Sequence, residues 1–165
     1  MKNKTRIEFC CHTKMSKLQG INFAREYIQE AMNRGYKAIA ITDTNSTQAF
    51  LDVDEYLRDT DCFKAIYGIE TNFKENKDSK KIYKIYIYVK EQKGLKNLYT
   101  LVSNSYKNLI NEQPIIYKNE LDKYREGLLY AAVGSKSEIA IKQDIETLNY
   151  YDFCRNWSYR KSRNK

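Results

Sequence analysis

The sequence has one histidine, His12, one proline, Pro114, and no internal repeat. At most one imidazole is therefore on hand for any metal. No run of ~18 apolar residues occurs, so no membrane-spanning helix is expected. The opening Met-Lys-Asn-Lys-Thr-Arg runs into a strand-like stretch rather than an apolar signal core, so secretion is not expected either. Cys10, Cys11, Cys62 and Cys154 form no C-x-x-C pair. A reduced, cytoplasmic chain is the simplest reading. Adjacent Cys10 and Cys11 point to opposite faces of a strand, which argues against a mutual disulfide.

An excess of one charge is also missing where it would matter. The net charge of +8 suggests a polyanion partner, but its location weakens that suggestion. Of the 29 basic side chains, Lys2, Lys4 and Arg6 lie at the front, and Arg155, Arg160, Lys161, Arg163 and Lys165 at the end. The 21 that remain in 7–154 face all 21 acidic ones, so the body of the chain is neutral. What the chain does have is enough apolar material for one packed domain of 165 residues, with 42% hydrophobic and 13% aromatic content.

Strands are expected at 6–11, 38–42, 63–69, 82–89, 127–132 and 149–153. The run Ala38-Ile-Ala-Ile-Thr42 has the continuous apolar character of a buried parallel strand. Ile21, Ala24, Tyr27, Ile28, Ala31 and Met32 recur at helical spacing, with Gly35 as a stop. Further helices are expected from near Ser46, over Gly94 to Leu109, over Glu120–Tyr124, and over Ser135–Lys142, with a charged turn at Lys74 to Lys81. Alternating strands and helices imply an α/β fold with a parallel sheet or barrel.

In such folds, functional groups collect at the C-terminal ends of strands. Cys10 and His12 end the first strand, Asp43 the second and Glu70 the third. A thiolate, an imidazole and two carboxylates are a donor set for zinc or manganese. Each residue has a plainer alternative: Cys10 as a small buried apolar residue, His12 as a satisfied loop side chain, Asp43 as a helix cap, Glu70 as a solvated turn residue. The Tyr-Ile alternation of the fourth strand reads as packing rather than a base-stacking platform.

The segments around these residues resemble the PHP (polymerase and histidinol phosphatase) domain at the front of PolC-type DNA polymerase III alpha subunits. Arg6-Ile-Glu-Phe-Cys-Cys-His-Thr-Lys-Met-Ser16 is similar to that family's H-x-H-T-x-M-S motif. Residues 35–50 are similar to its A-I-T-D-H core with the following Q-A-F, and Ala65-Ile-Tyr-Gly-Ile-Glu70 to its Y-G-x-E motif. Residues 93–103 and 123–129 resemble later segments, so the likeness runs in order over 6–153. The resemblance implies a distorted (βα) barrel with parallel strands, and a cluster of metals for phosphoester hydrolysis.

Carried over residue by residue, the resemblance also implies a depleted centre. Cys10 stands where the family has its first histidine, while His12, Asp43 and Glu70 match. Thr44, Lys84, Gly134 and Ser135 stand where the family places a histidine, a histidine, a cysteine and a glutamate. Thr44 and Gly134 are not useful ligands. An ammonium at Lys84 opposes a divalent ion unless the side chain snorkels away. The expected cofactor is zinc or manganese, weakly held or absent.

The PHP-like domain is expected to span 1–153, with 154–165 a basic tail. Where the family continues with an acidic, apolar strand, this chain reads Cys-Arg-Asn-Trp-Ser-Tyr-Arg-Lys. One permitted codon spelling of 154–165, read one base later, gives Val-Glu-Ile-Gly-Pro-Ile-Glu-Asn-Gln-Glu-Ile, the family's continuation. The tail is therefore expected to be a frameshift product and the barrel to be truncated, incomplete and exposed at its strand edges. The functional expectation is a non-catalytic module or fragment of a replicative polymerase, partnered by the rest of that assembly, with direct DNA contact left open and no membrane. The alternatives are a residual metal-dependent phosphoesterase and a small basic nucleic-acid binder. No polymerase palm carboxylates, exonuclease or clamp-binding segment can be placed in this chain, so DNA synthesis by it alone is not expected.

Overall fold

The computed structural model describes residues 6–155, in eight strands and six helices. Most of the expected basic tail, and Lys2 and Lys4, lie outside the described residues. By its internal contacts the chain divides into two units, Met1–Ile69 and Glu70–Lys165. The boundary falls inside the long strand β3 (Lys64–Lys74).

The first unit holds β1 (Ile7–Cys11), α1 (Ala24–Asn33), β2 (Ala38–Thr44), α2 (Ala49–Leu57) and the start of β3. β1 and β2 are parallel, with Ile7 opposite Ala38 and Cys11 opposite Ile41. The register shifts between Glu8 and Cys11. Such an irregularity frees backbone amides. The Glu8 carboxylate takes up two of them, accepting from the Phe9 and Cys10 N–H groups at 3.1 and 3.3 Å. β2 is buried over Ala38–Asp43, as its apolar run predicts. The core joins Ile28 and Ala31 of α1, Ile39 and Ile41 of β2, and Val53 of α2.

Two helix starts fall later than the sequence pattern predicts. Glu26 accepts from the Phe23 N–H at 2.7 Å, which caps α1 at Phe23 and leaves Ile21 outside the helix, 88% exposed. Asn45 sits at φ 52°, so the chain turns before α2 begins at Ala49.

The second unit holds the rest of β3, then β4 (Tyr83–Val89), α3 (Gln92–Ser105), β5 (Leu109–Ile110), β6 (Gln113–Tyr117), α4 (Lys118–Lys123), β7 (Leu128–Val133), α5 (Glu138–Lys142), α6 (Ile145–Tyr150) and β8 (Phe153–Arg155). Asn72–Lys74 of β3 pair parallel with Ile115–Tyr117 of β6, and β7 pairs parallel with β8. β4 and β7, however, are antiparallel, with Ile87 opposite Tyr130. The sheet is mixed α/β rather than wholly parallel. The connection from β4 to β7 carries the antiparallel β5–β6 pair and α4 in addition to α3, in place of a simple strand–helix–strand crossover. Asn111 and Glu112 turn that hairpin at φ 49° and 63°, the geometry of a two-residue loop matched to strand twist. It ends α3 at Ser105, so Leu109 is a strand residue and not the last turn of the helix.

The predicted strand at 149–153 is mostly helix. Asp144 caps α6, accepting from the Thr147 N–H at 2.6 Å and its hydroxyl at 2.9 Å, so Asn149 and Tyr150 are helical and β8 starts at Phe153. Tyr83, Ile85, Tyr86, Ile87 and Tyr88 of β4 are all buried, which fits packing on both faces. Gly94 and Gly127 allow the start of α3 to lie against the approach to β7: a Cβ on Gly94 would meet the Gly127 carbonyl oxygen at 1.9 Å. No helix among the described residues is long and apolar enough to cross a membrane.

Candidate metal centre

In the first unit the candidate donors are Cys10 in β1, His12 just after it, and Asp43 near the end of β2. Asp43 is fully buried, and it does not cap α2. Its Oδ1 accepts from the Thr13 N–H at 2.7 Å and the Ser16 hydroxyl at 2.6 Å, and its Oδ2 accepts from the Thr13 hydroxyl at 2.7 Å. Both carboxylate oxygens are thus held by neutral donors from the loop that follows β1. Ser16 Oγ in turn accepts from the Thr44 N–H at 2.9 Å, and the Thr44 hydroxyl donates to Gln19 at 3.0 Å. Thr42 adds a pair of contacts to Cys11, accepting from its N–H at 3.1 Å and donating to its carbonyl at 3.2 Å. Gly20 lets the loop close: a Cβ there would meet the His12 carbonyl oxygen at 2.3 Å.

Cys10 lies inside the irregular stretch of β1, where strict alternation of side chains no longer holds, and it is half-buried and outside any disulfide. Its neighbour Cys11 is buried and also outside any disulfide. Burial, followed by the nearby Asp43 and Glu8 charges, pushes the Cys11 thiol up to about 12. It is a thiol, not a thiolate, at neutral pH, and so a poor ligand or nucleophile. His12 is half-buried in the turn that leaves β1.

In the second unit the acceptor is Glu70, only 5% exposed. Its two carboxylate oxygens accept from the Lys84 ammonium and from the Tyr86 hydroxyl. Lys84 does not snorkel away; its side chain is two-thirds covered and ion-paired. Its backbone N–H donates to the Lys136 carbonyl at 2.9 Å, tying β4 to the turn that contains Gly134 and Ser135. Gly134 adopts φ 77°, a turn conformation that suits glycine and brings no donor side chain. Ser135 is exposed.

The structure thus brings Thr44 to the Asp43 loop contacts and Lys84 to Glu70. Sequence reasoning missed the residues that satisfy the carboxylates, namely Thr13, Ser16 and Tyr86. A signal was present in the first case, since Thr13 and Ser16 are the T and S of the H-T-x-M-S motif. It also missed a third buried carboxylate. Glu138, fully buried, accepts from Lys142 at 2.8 Å, Tyr151 at 3.2 Å and Lys118 at 3.5 Å. Burial works against the Lys142 charge, but its bonds to Glu138 and Glu75 more than offset this and raise its pKa.

A zinc or manganese centre needs several converging lone-pair donors with room for an ion. Among the described residues, no group of three or more His, Cys, Asp and Glu side chains is placed to hold a metal. The donor set does not fit the group: Asp43 is engaged by hydrogen-bond donors, and Glu70 by an ammonium and a phenol.

The family model of the PHP domain matches residues 8–154, and the chain belongs to that family. Among individual proteins it is similar to the PolC-type DNA polymerase III of Staphylococcus saprophyticus, 49% identical over 47 residues, which is 28% of this chain and 3% of that protein. The Staphylococcus aureus polymerase of the same type is 47% identical over a stretch of the same length. The matched stretch is only 3% of the length of these curated relatives. Among solved structures, a putative metal-dependent phosphoesterase from Bifidobacterium adolescentis superposes with a TM-score of 0.48 at 16% identity, covering 63% of this chain and 34% of that one. An amidohydrolase from Chromobacterium violaceum gives the same score and identity over 62% and 34%.

Proposed function

We propose that this chain is a non-catalytic PHP module of a PolC-type replicative polymerase, with residues 1–153 as the module and the rest of the polymerase as its partner. The observation that carries this reading is the state of Glu70: its carboxylate is satisfied by Lys84 and Tyr86. A divalent ion brought to ~4 Å from that ammonium meets a repulsion of about 8 kcal/mol at an effective dielectric near 20. Hydrolysis by clamping both the attacking and leaving oxygens needs two such ions. Asp43, with its three short hydrogen bonds, acts in this reading as the anchor of the loop after β1.

Metal analysis of the purified chain, with turnover of a generic phosphodiester, tests the reading. The expected result is substoichiometric zinc and manganese, and turnover at the level of a blank with or without EDTA. Stoichiometric metal with turnover that is lost in a folded His12→Ala variant would overturn it.

A further inference from the structure

We infer that Lys84 is a tethered counter-ion that supplies, from within the chain, the positive charge that a bound metal would otherwise bring to Glu70, so that a metal ion and this lysine exclude one another. A carboxylate as covered as Glu70 does not stay charged without a positive or strongly donating partner. The chain provides both: an ammonium on one oxygen and a phenol on the other, each from β4, two residues apart and so on one face of the strand. Position 84 is also where the family resemblance places a histidine ligand. One substitution there does two things at once: it removes a lone pair that a metal needs and adds the charge that the metal carried. The lysine is held in place from behind, because its N–H bonds to the Lys136 carbonyl and its residue bridges to Ser137. The cohesion of β3 with β4 at this point is thereby independent of metal.

The inference rests on the non-catalytic reading only in taking Glu70 as metal-free, and its test does not use turnover. Thermal melting of the full chain is measured with EDTA, with zinc alone and with manganese alone. Wild-type Tm is expected to be the same in all three. Lys84→Met removes one partner of a largely buried pair and should lower Tm by about 10 °C in a chain of this size. Adding Glu70→Gln to Lys84→Met should restore at least half of that loss, because the stranded charge is gone. Lys84→His, which returns a lone pair and removes the fixed charge, should acquire a Tm that rises with zinc or manganese and falls with EDTA.

A wild-type Tm raised by either metal would overturn the exclusion of metal by lysine. An unchanged Tm in Lys84→Met, or a Glu70→Gln/Lys84→Met chain no more stable than Lys84→Met, would overturn the counter-ion role. So would a Lys84→His chain indifferent to metal. Should Lys84→Met not fold, the folding of the double variant decides: folded supports the role, unfolded ends it. Phosphodiester turnover by a wild-type chain that still passes these melts would sink the non-catalytic reading and leave the counter-ion standing.

Discussion

Asp43 and Glu70 face the same problem, a carboxylate placed out of water, and the two units solve it with different chemistry. The first unit surrounds Asp43 with neutral donors, one backbone N–H and two hydroxyls, all from the loop after β1. The second unit meets Glu70 with an ammonium and a phenol from β4, and meets Glu138 with Lys142, Lys118 and Tyr151. Hydroxyl and amide donors orient a loop strongly but leave the net charge in place. Ammonium partners cancel the charge but tie the carboxylate to long, flexible side chains. The first arrangement builds a precise local structure, and the second, in the proposed reading, makes a site indifferent to cations from outside.

The comparison breaks most clearly at Asp43. Asp43→Ala strands three donors in a buried place, and a loss of about 4 kcal/mol is expected in urea unfolding. Asp43→Asn keeps one acceptor and should cost about half as much, and Ser16→Ala, which removes one donor, about 1.5 kcal/mol. If the loop after β1 is anchored this way, all three variants raise amide exchange at Thr13 and Met15, and none changes the melting response to zinc or manganese.

A smaller effect is expected at Lys142. Lys142→Met leaves Glu138 with Lys118 and Tyr151, so the loss should be near 2 kcal/mol rather than the larger cost of breaking an isolated buried pair. A loss equal to that of Lys142→Met/Lys118→Met would show that Lys118 contributes nothing.

The smallest effect lies at the rim of the same network. The hydrogen bond from Lys142 holds the Glu75 carboxyl below its ordinary 4.5. A depressed folded-state pKa adds stability above the unfolded value, and that stability is lost as pH falls through the folded one. Stability should therefore drop as pH falls below about 4.5, with Glu75→Gln flattening part of the drop. The Glu75 side chain is 38% exposed, so its share should be under about 0.5 kcal/mol. Salt at 1 M should shrink it further, while the Asp43 variants stay as they were.

Local patterns were legible where one chemical signal dominated. The Ile-Ala-Ile-Thr run marked β2 as a buried strand, and Gly35 marked the end of α1, where it sits at φ 73°. The hairpin at Asn111-Glu112 was not legible, since neither residue demands a positive φ and the preceding leucines continue a helical spacing. The strand predicted at 149–153 failed because the capping pair Asp144 and Thr147 outweighs the apolar alternation of the aromatic residues behind it. At the candidate centre, the sequence pointed to Asp43, Glu70 and Lys84 but read Lys84 only as an obstacle.

By itself, the order of residues determined family membership over most of the chain and the alternation of strands and helices. Those facts depend on local spacing and on which atoms a side chain carries. The pairing of strands and the partners of the carboxylates were decided only by the tertiary structure. An ammonium that repels an ion and an ammonium that replaces one are the same residue in the sequence. What separates them is the placement of Lys84 against a covered Glu70, which depends on how β3 and β4 are brought together in space.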